Sequence, residues 1–109
     1  MTATTPSVVQ NYFDASAARD VAALVACFTA DARVADDGKE YVGLEAIRDW
    51  KASTDAAFEY TTEIIGSEKD DLGYLVTATI AGDFPGSPVD LRYRFVLADN
   101  LISELQIAP

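Results

Sequence analysis

The stretch from Leu24 to Asp37, LVACFTADARVADD, reads as a helix end, a turn and one short strand that finishes on two adjacent carboxylates. Strand side chains alternate between two faces, so Val34 and Asp36 share one face while Arg33, Ala35 and Asp37 share the other. Val34 belongs toward a core and Arg33 toward water. Asp36 is thereby carried inward, at the mouth of whatever cavity the fold encloses, and Asp37 is its solvated neighbour. The same two acids also suit the start of a polar turn, Asp37-Gly38-Lys39, because Asp and Gly are ordinary turn formers. Both readings stay open at this level.

Upstream, Thr5 and Pro6 suit a helix start, with Thr5 as cap and Pro6 where its missing N–H costs nothing. Val8, Val9, Tyr12, Phe13 and Ser16 recur at helical spacing and define a face that must be buried. Asp20 is a second N-cap, followed by Val21, Leu24, Val25 and Phe28 three and four apart. Downstream, the spacing predicts a third helix over Gly43–Phe58, with Ile47, Trp50, Thr54, Ala57 and Phe58 on one stripe and Arg48, Asp49, Lys51 and Asp55 largely off it. Glu45 and Asp49 lie in its first turns, where the helix dipole favours acids.

After Phe58 the period changes to two. Tyr60, Thr62 and Ile64 alternate with Thr61, Glu63 and Ile65, and Tyr74, Val76, Ala78 and Ile80 with Leu75, Thr77 and Thr79. Lys69–Gly73 is the expected turn between them, and Pro85–Pro88 the next reversal. Val89, Leu91, Tyr93, Phe95 and Leu97 then form one face of a long strand, and Ala98-Asp99-Asn100 leads into a last strand over Leu101–Ile107. This pattern predicts one α+β domain spanning residues 1–109, its helices packed on a mainly antiparallel sheet. Both faces of the long strands carry apolar residues, such as Ile64 and Ile65 or Leu75 and Val76. A homodimer through the outer sheet face would cover the second face.

Composition narrows the chemistry. The 109 residues include 18 acids and 8 bases, a net charge of −10 that repels nucleic acid and anionic membrane. No apolar run approaches the roughly 18 residues of a membrane span. Met1–Pro6 has neither a basic start nor an apolar core, so a cytoplasmic address is expected. The one cysteine, Cys27, excludes an internal disulfide and reads as a small core residue. There is no histidine. That removes the commonest proton shuttle, histidine-activated nucleophiles and imidazole metal ligands, so acid–base chemistry must run on carboxylates, tyrosines or lysines. No cofactor and no metal are expected.

The sequence VVQNYF, then RDVAALVACF, then ADARVADD, then VGLEAIRDW resembles the NTF2-like superfamily, in particular its SnoaL-like and ketosteroid-isomerase-like members. The resemblance runs over essentially the whole chain. It implies a cone-shaped fold, three N-terminal helices packed on a strongly curved sheet around a deep apolar pocket. In the isomerases a tyrosine of the first helix donates a hydrogen bond to the substrate oxyanion, and Tyr12 stands at the matching place. The aspartate that moves the proton ends the first strand, where Asp36 stands. The second oxyanion donor, a protonated aspartate of the penultimate strand, falls on Leu91, and Asp90 beside it points through the other face. The resemblance thus implies Asp36 and Tyr12 as catalytic residues, with Val34, Phe28, Trp50, Phe58, Tyr74, Leu91, Tyr93 and Phe95 as the wall for an apolar or aromatic small molecule. The resulting reading is an isomerase or polyketide-cyclase-like enzyme with an incomplete oxyanion site. A non-catalytic binder of an apolar molecule and a dimerisation module, with Asp90, Arg92 and Arg94 pairing across subunits, are the alternatives. An epoxide-hydrolase arrangement would need an Asp-Arg-Asp cluster, and Asp90 with Arg92 shares only the outer face.

Overall fold

The computed structural model describes residues 6–71 and 73–109; the expected Thr5 cap lies outside them. Helix α1, Ser7–Ala17, buries Val8, Val9, Tyr12, Phe13 and Ala15. Pro6 stands one position before the first helical turn, and its carbonyl accepts from the amides of Val9 and Gln10. A reversal at Arg19, in the left-handed region at φ 56°, leads to α2, Val21–Val25. The Asp20 carboxylate caps α2 by accepting from the Ala23 amide at 3.1 Å.

Strand β1 runs Phe28–Asp36 and β2 Lys39–Val42. Phe28, expected on the second helix, opens β1 instead, because α2 stops after five residues. Asp37 and Gly38, both at positive φ (53° and 75°), form a two-residue hairpin turn that pairs Asp36 with Lys39. The polar turn and the inward acid are therefore compatible: the strand ends on Asp36 and the turn begins at Asp37. Helix α3, Leu44–Ala57, follows with Gly43 as its N-cap. Then come β3, Tyr60–Asp70, β4, Gly73–Gly82, β5, Val89–Ala98, and β6, Leu101–Ala108. The β3–β4 reversal is tighter than expected, with Lys69 and Asp70 still paired in the ladder.

The six strands form one curved, unclosed sheet in the order β2-β1-β6-β5-β4-β3, mainly antiparallel, with β1 and β6 as the parallel pair. Register shifts at Ile64/Gly66, at Val96/Leu97 and between Phe28 and Arg33 interrupt the ladders, and such bulges bend a sheet. The one at Ile65 exposes both Ile64 and Ile65. On the inner face Val34, Val76, Ala78, Phe95, Ile102 and Leu105 pack against Val9, Tyr12, Leu24 and Ile47 of the helices. The ring of Tyr12 meets Phe95 and Phe28 edge-on, at 5.4 and 6.1 Å between centroids. Cys27 is buried, as its apolar neighbours indicate, and its thiol donates to the Ala23 carbonyl. No helix is long and apolar enough to cross a membrane among the described residues.

Candidate functional site

Beyond this packed zone, α1 and α3 diverge from the sheet and leave a cavity of about 500 Å³, within the usual range for small-molecule sites. Tyr12, Phe13 and Ser16 of α1 form one wall, Trp50, Lys51 and Thr54 of α3 a second, and Ile80, Val89, Leu91, Tyr93 and Ile107 of the sheet a third. Phe58, Phe84, Pro85 and Gly86 stand around it with Tyr60 and Thr62 of β3, and Asp36 and Asp37 enter from the end of β1. A smaller hollow of about 350 Å³ adjoins on the other side and shares Asp36, Asp37, Trp50, Thr54 and Phe58.

Asp36 enters the cavity because it keeps the parity of the fully buried Val34 up to the strand's last residue. The indole Nε1 of Trp50 donates to its Oδ2 at 3.1 Å, and Oδ1 has no such partner among the described residues. Tyr12 reaches the cavity from the middle of α1 and is 3% exposed. Burial, then the neighbouring Tyr93 and Tyr60 phenols, then the Asp36 and Asp55 carboxylates push its ionisation well above the usual 10.0. Tyr93 is pushed upward in the same way, by burial first, then by Tyr60 and Asp36. Both phenols therefore stay protonated under any ordinary condition.

Of the expected site residues, Asp36, Tyr12, Trp50, Phe58, Leu91 and Tyr93 line the cavity. Four do not. Val34, Phe28 and Phe95 are sealed in the packed core together with Val9 and Tyr12 of α1 and Leu24 of α2. Tyr74 shares the inner face with Ile80 but sits six residues along β4, roughly 20 Å away, opposite Phe95 and with the Lys69 ammonium 5.9 Å from its ring centroid. The strand period assigns a face correctly but carries no information on which end of that face is hollow.

The sequence reading also missed a polar cluster. Lys51, expected on the solvated side of α3, is 3% exposed. Its Nζ donates to Asp55 Oδ1 at 3.0 Å and to the Tyr60 hydroxyl, which in turn donates to Asp55 Oδ1 at 3.3 Å. Asp55 Oδ2 is sealed without a partner. The i,i+4 spacing of Lys51 and Asp55 was legible, but such pairs ordinarily face water. The loop at Phe84–Gly86, read only as a reversal, supplies part of the rim. Asp90 and Arg92 stay on the outer face, exposed and away from the cavity. No cluster of three or more metal-ligating side chains occurs among the described residues.

A concave sheet, three helices and an acid at the cavity mouth define a class, and the sequence agrees with it: residues 9–104 match the SnoaL-like domain. The chain belongs to this NTF2-like family. A Sinorhizobium meliloti protein, described provisionally as a polyketide cyclase, is 39% identical over 95% of both chains, with a TM-score of 0.92. A Catenulispora acidiphila protein with a ketosteroid-isomerase-like fold, solved with trimethylamine, is 26% identical over 97% of this chain and 87% of its own, with a TM-score of 0.85. The epoxide hydrolase/cyclase-like enzyme SalBIII, of pyran-ring formation in salinomycin, shares the fold at a TM-score of 0.79, with 23% identity over 92% of this chain and 85% of its own. No functionally curated protein matches the sequence.

Proposed function

We propose that the cavity takes an apolar or aromatic small molecule carrying a carbonyl group, and that Asp36 removes a proton from the carbon beside it. The observation that carries this reading is the meeting of Asp36 and Tyr12 in one largely apolar hollow, with the carboxylate held on a single oxygen by Trp50. Asp36 Oδ1 accepts the proton. The C–H electron pair becomes the C=C bond of an enolate, and the carbonyl π pair moves onto oxygen, where the Tyr12 hydroxyl donates to it. Return of the proton to a different carbon completes an isomerisation; attack of the enolate carbon on a second carbonyl carbon, whose π pair moves onto its oxygen and takes the proton back from Asp36, completes a cyclisation. The likeness to the Sinorhizobium protein supports the second outcome.

The test is Asp36→Asn, which keeps an acceptor for Trp50 but removes the base. Turnover is expected to fall by about 10² to 10⁴, with the melting temperature within about 3 °C of the parent. Undiminished turnover would remove Asp36 from the chemistry. A second reading, capture without reaction, draws support from Leu91, an aliphatic side chain where the isomerases place a donor. It requires saturable binding without product and equal affinity with or without the Asp36 carboxylate.

A further inference from the structure

Leu91 has a polar neighbour on its own face. Tyr93 stands two residues along β5, points to the same side and lines the same cavity as Tyr12 and Asp36. Its ring centroid lies 6.5 Å from that of Tyr12, with the planes tilted by 58°. Neither hydroxyl has a hydrogen-bond partner among the described residues, although both side chains are more than nine-tenths buried. A buried phenol normally finds a partner. Among the described residues the one side-chain polar atom that is both sealed and unpartnered is Asp55 Oδ2, so the Tyr12 and Tyr93 hydroxyls, on side chains that line the cavity, open onto it. The third phenol there, Tyr60, differs: it accepts from Lys51 and donates to Asp55.

We propose that Tyr93 is the second donor to the ligand's oxygen, so that one carbonyl oxygen is held between a phenol from α1 and a phenol from β5. This rests on the carbonyl reading above and narrows it. The favoured ligand presents a single acceptor oxygen, which gains negative charge as Asp36 takes the proton. Two neutral phenols do what a phenol and a protonated carboxyl do in the isomerases. Because burial and the nearby acids keep both phenols protonated, each remains a donor while Asp36 is ionised.

The test uses 4-nitrophenolate as a stand-in for the enolate and 4-nitrotoluene as its counterpart without the phenolate oxygen, both titrated into the Asp36→Asn protein, whose site lacks the repelling charge. Adding Tyr12→Phe or Tyr93→Phe is expected to weaken nitrophenolate binding by about 10-fold or more each, with nitrotoluene binding changed less than about 2-fold. Tyr74→Phe, outside the cavity, is expected to change neither. Loss on Tyr12→Phe alone overturns the role of Tyr93 and leaves the carbonyl reading standing. No loss on either substitution, or no nitrophenolate binding to the Asp36→Asn protein, overturns both. Equal weakening of the two probes by Tyr93→Phe would make its hydroxyl a packing group and overturn the inference.

Discussion

Among the described residues, Lys51 is the buried charged side chain that lines the cavity. Its ammonium is withdrawn from water and compensated by the Asp55 carboxylate and the Tyr60 oxygen, and the second Asp55 oxygen receives nothing. Removing one member of such a pair strands the other charge, whereas replacing both by apolar groups removes the desolvation cost together with the attraction. Lys51→Met is therefore expected to destabilise the protein by about 3 to 5 kcal/mol, and Lys51→Met with Asp55→Leu to recover most of that loss in urea unfolding. If the single and double substitutions were equally destabilising, the pair would not be the source of the cost. Arg19 closes the same region from outside, donating to the backbone carbonyls of Asp55 and Phe58 at 2.6 and 3.0 Å. These two hydrogen bonds tie the α1–α2 reversal to the end of α3.

At the scale of elements, α3 does more for the site than any other segment. One of its faces delivers Trp50 to Asp36, Lys51 to Tyr60 and Thr54 to the cavity wall. Thr54 also turns its hydroxyl back onto the Trp50 carbonyl at 2.9 Å, which leaves its methyl group available to the cavity. In the proposed reaction Trp50 is a positioning residue: its hydrogen bond fixes one carboxylate oxygen and leaves the other for the substrate. Trp50→Phe keeps most of the ring area and removes the donor. It is expected to lower kcat by roughly 10-fold or more while KM stays within about 2-fold, since the donor acts on the carboxylate and not on the bound molecule. A parallel rise in KM with kcat unchanged would show instead that the indole serves only as wall. The β1–β2 hairpin sets the other coordinate, because the turn at Asp37-Gly38 ends the strand immediately after Asp36.

Across the whole molecule, the inner face of the sheet is taken up by helices and cavity, and the outer face remains mixed. Leu75, Thr77 and Val96 are half-buried there among charged residues. Arg94, expected to pair across subunits, donates to both oxygens of Asp70 in its own chain at 2.8 and 2.9 Å, and Asp90 accepts from Thr79 at 2.7 Å. A second copy on this face is thus a proposal resting on the apolar positions and not on ion pairs. It is expected to give a dimer in sedimentation at micromolar concentration that Leu75→Glu dissociates; a monomeric parent would end the idea. The sequence by itself determined the element types, the inward parity of Asp36 and Tyr12 and the α+β class, because helical and strand periods are local properties of the chain. It did not reveal β2, whose four residues are too few and too exposed to show a period. Nor did it place Lys51 inside or separate Leu91 and Tyr93, at the open end of the face, from Phe95 and Val34 at the packed end. Only the tertiary structure decided those points, because where helices diverge from a curved sheet depends on bulges and crossings between segments distant in sequence, and no periodicity records that.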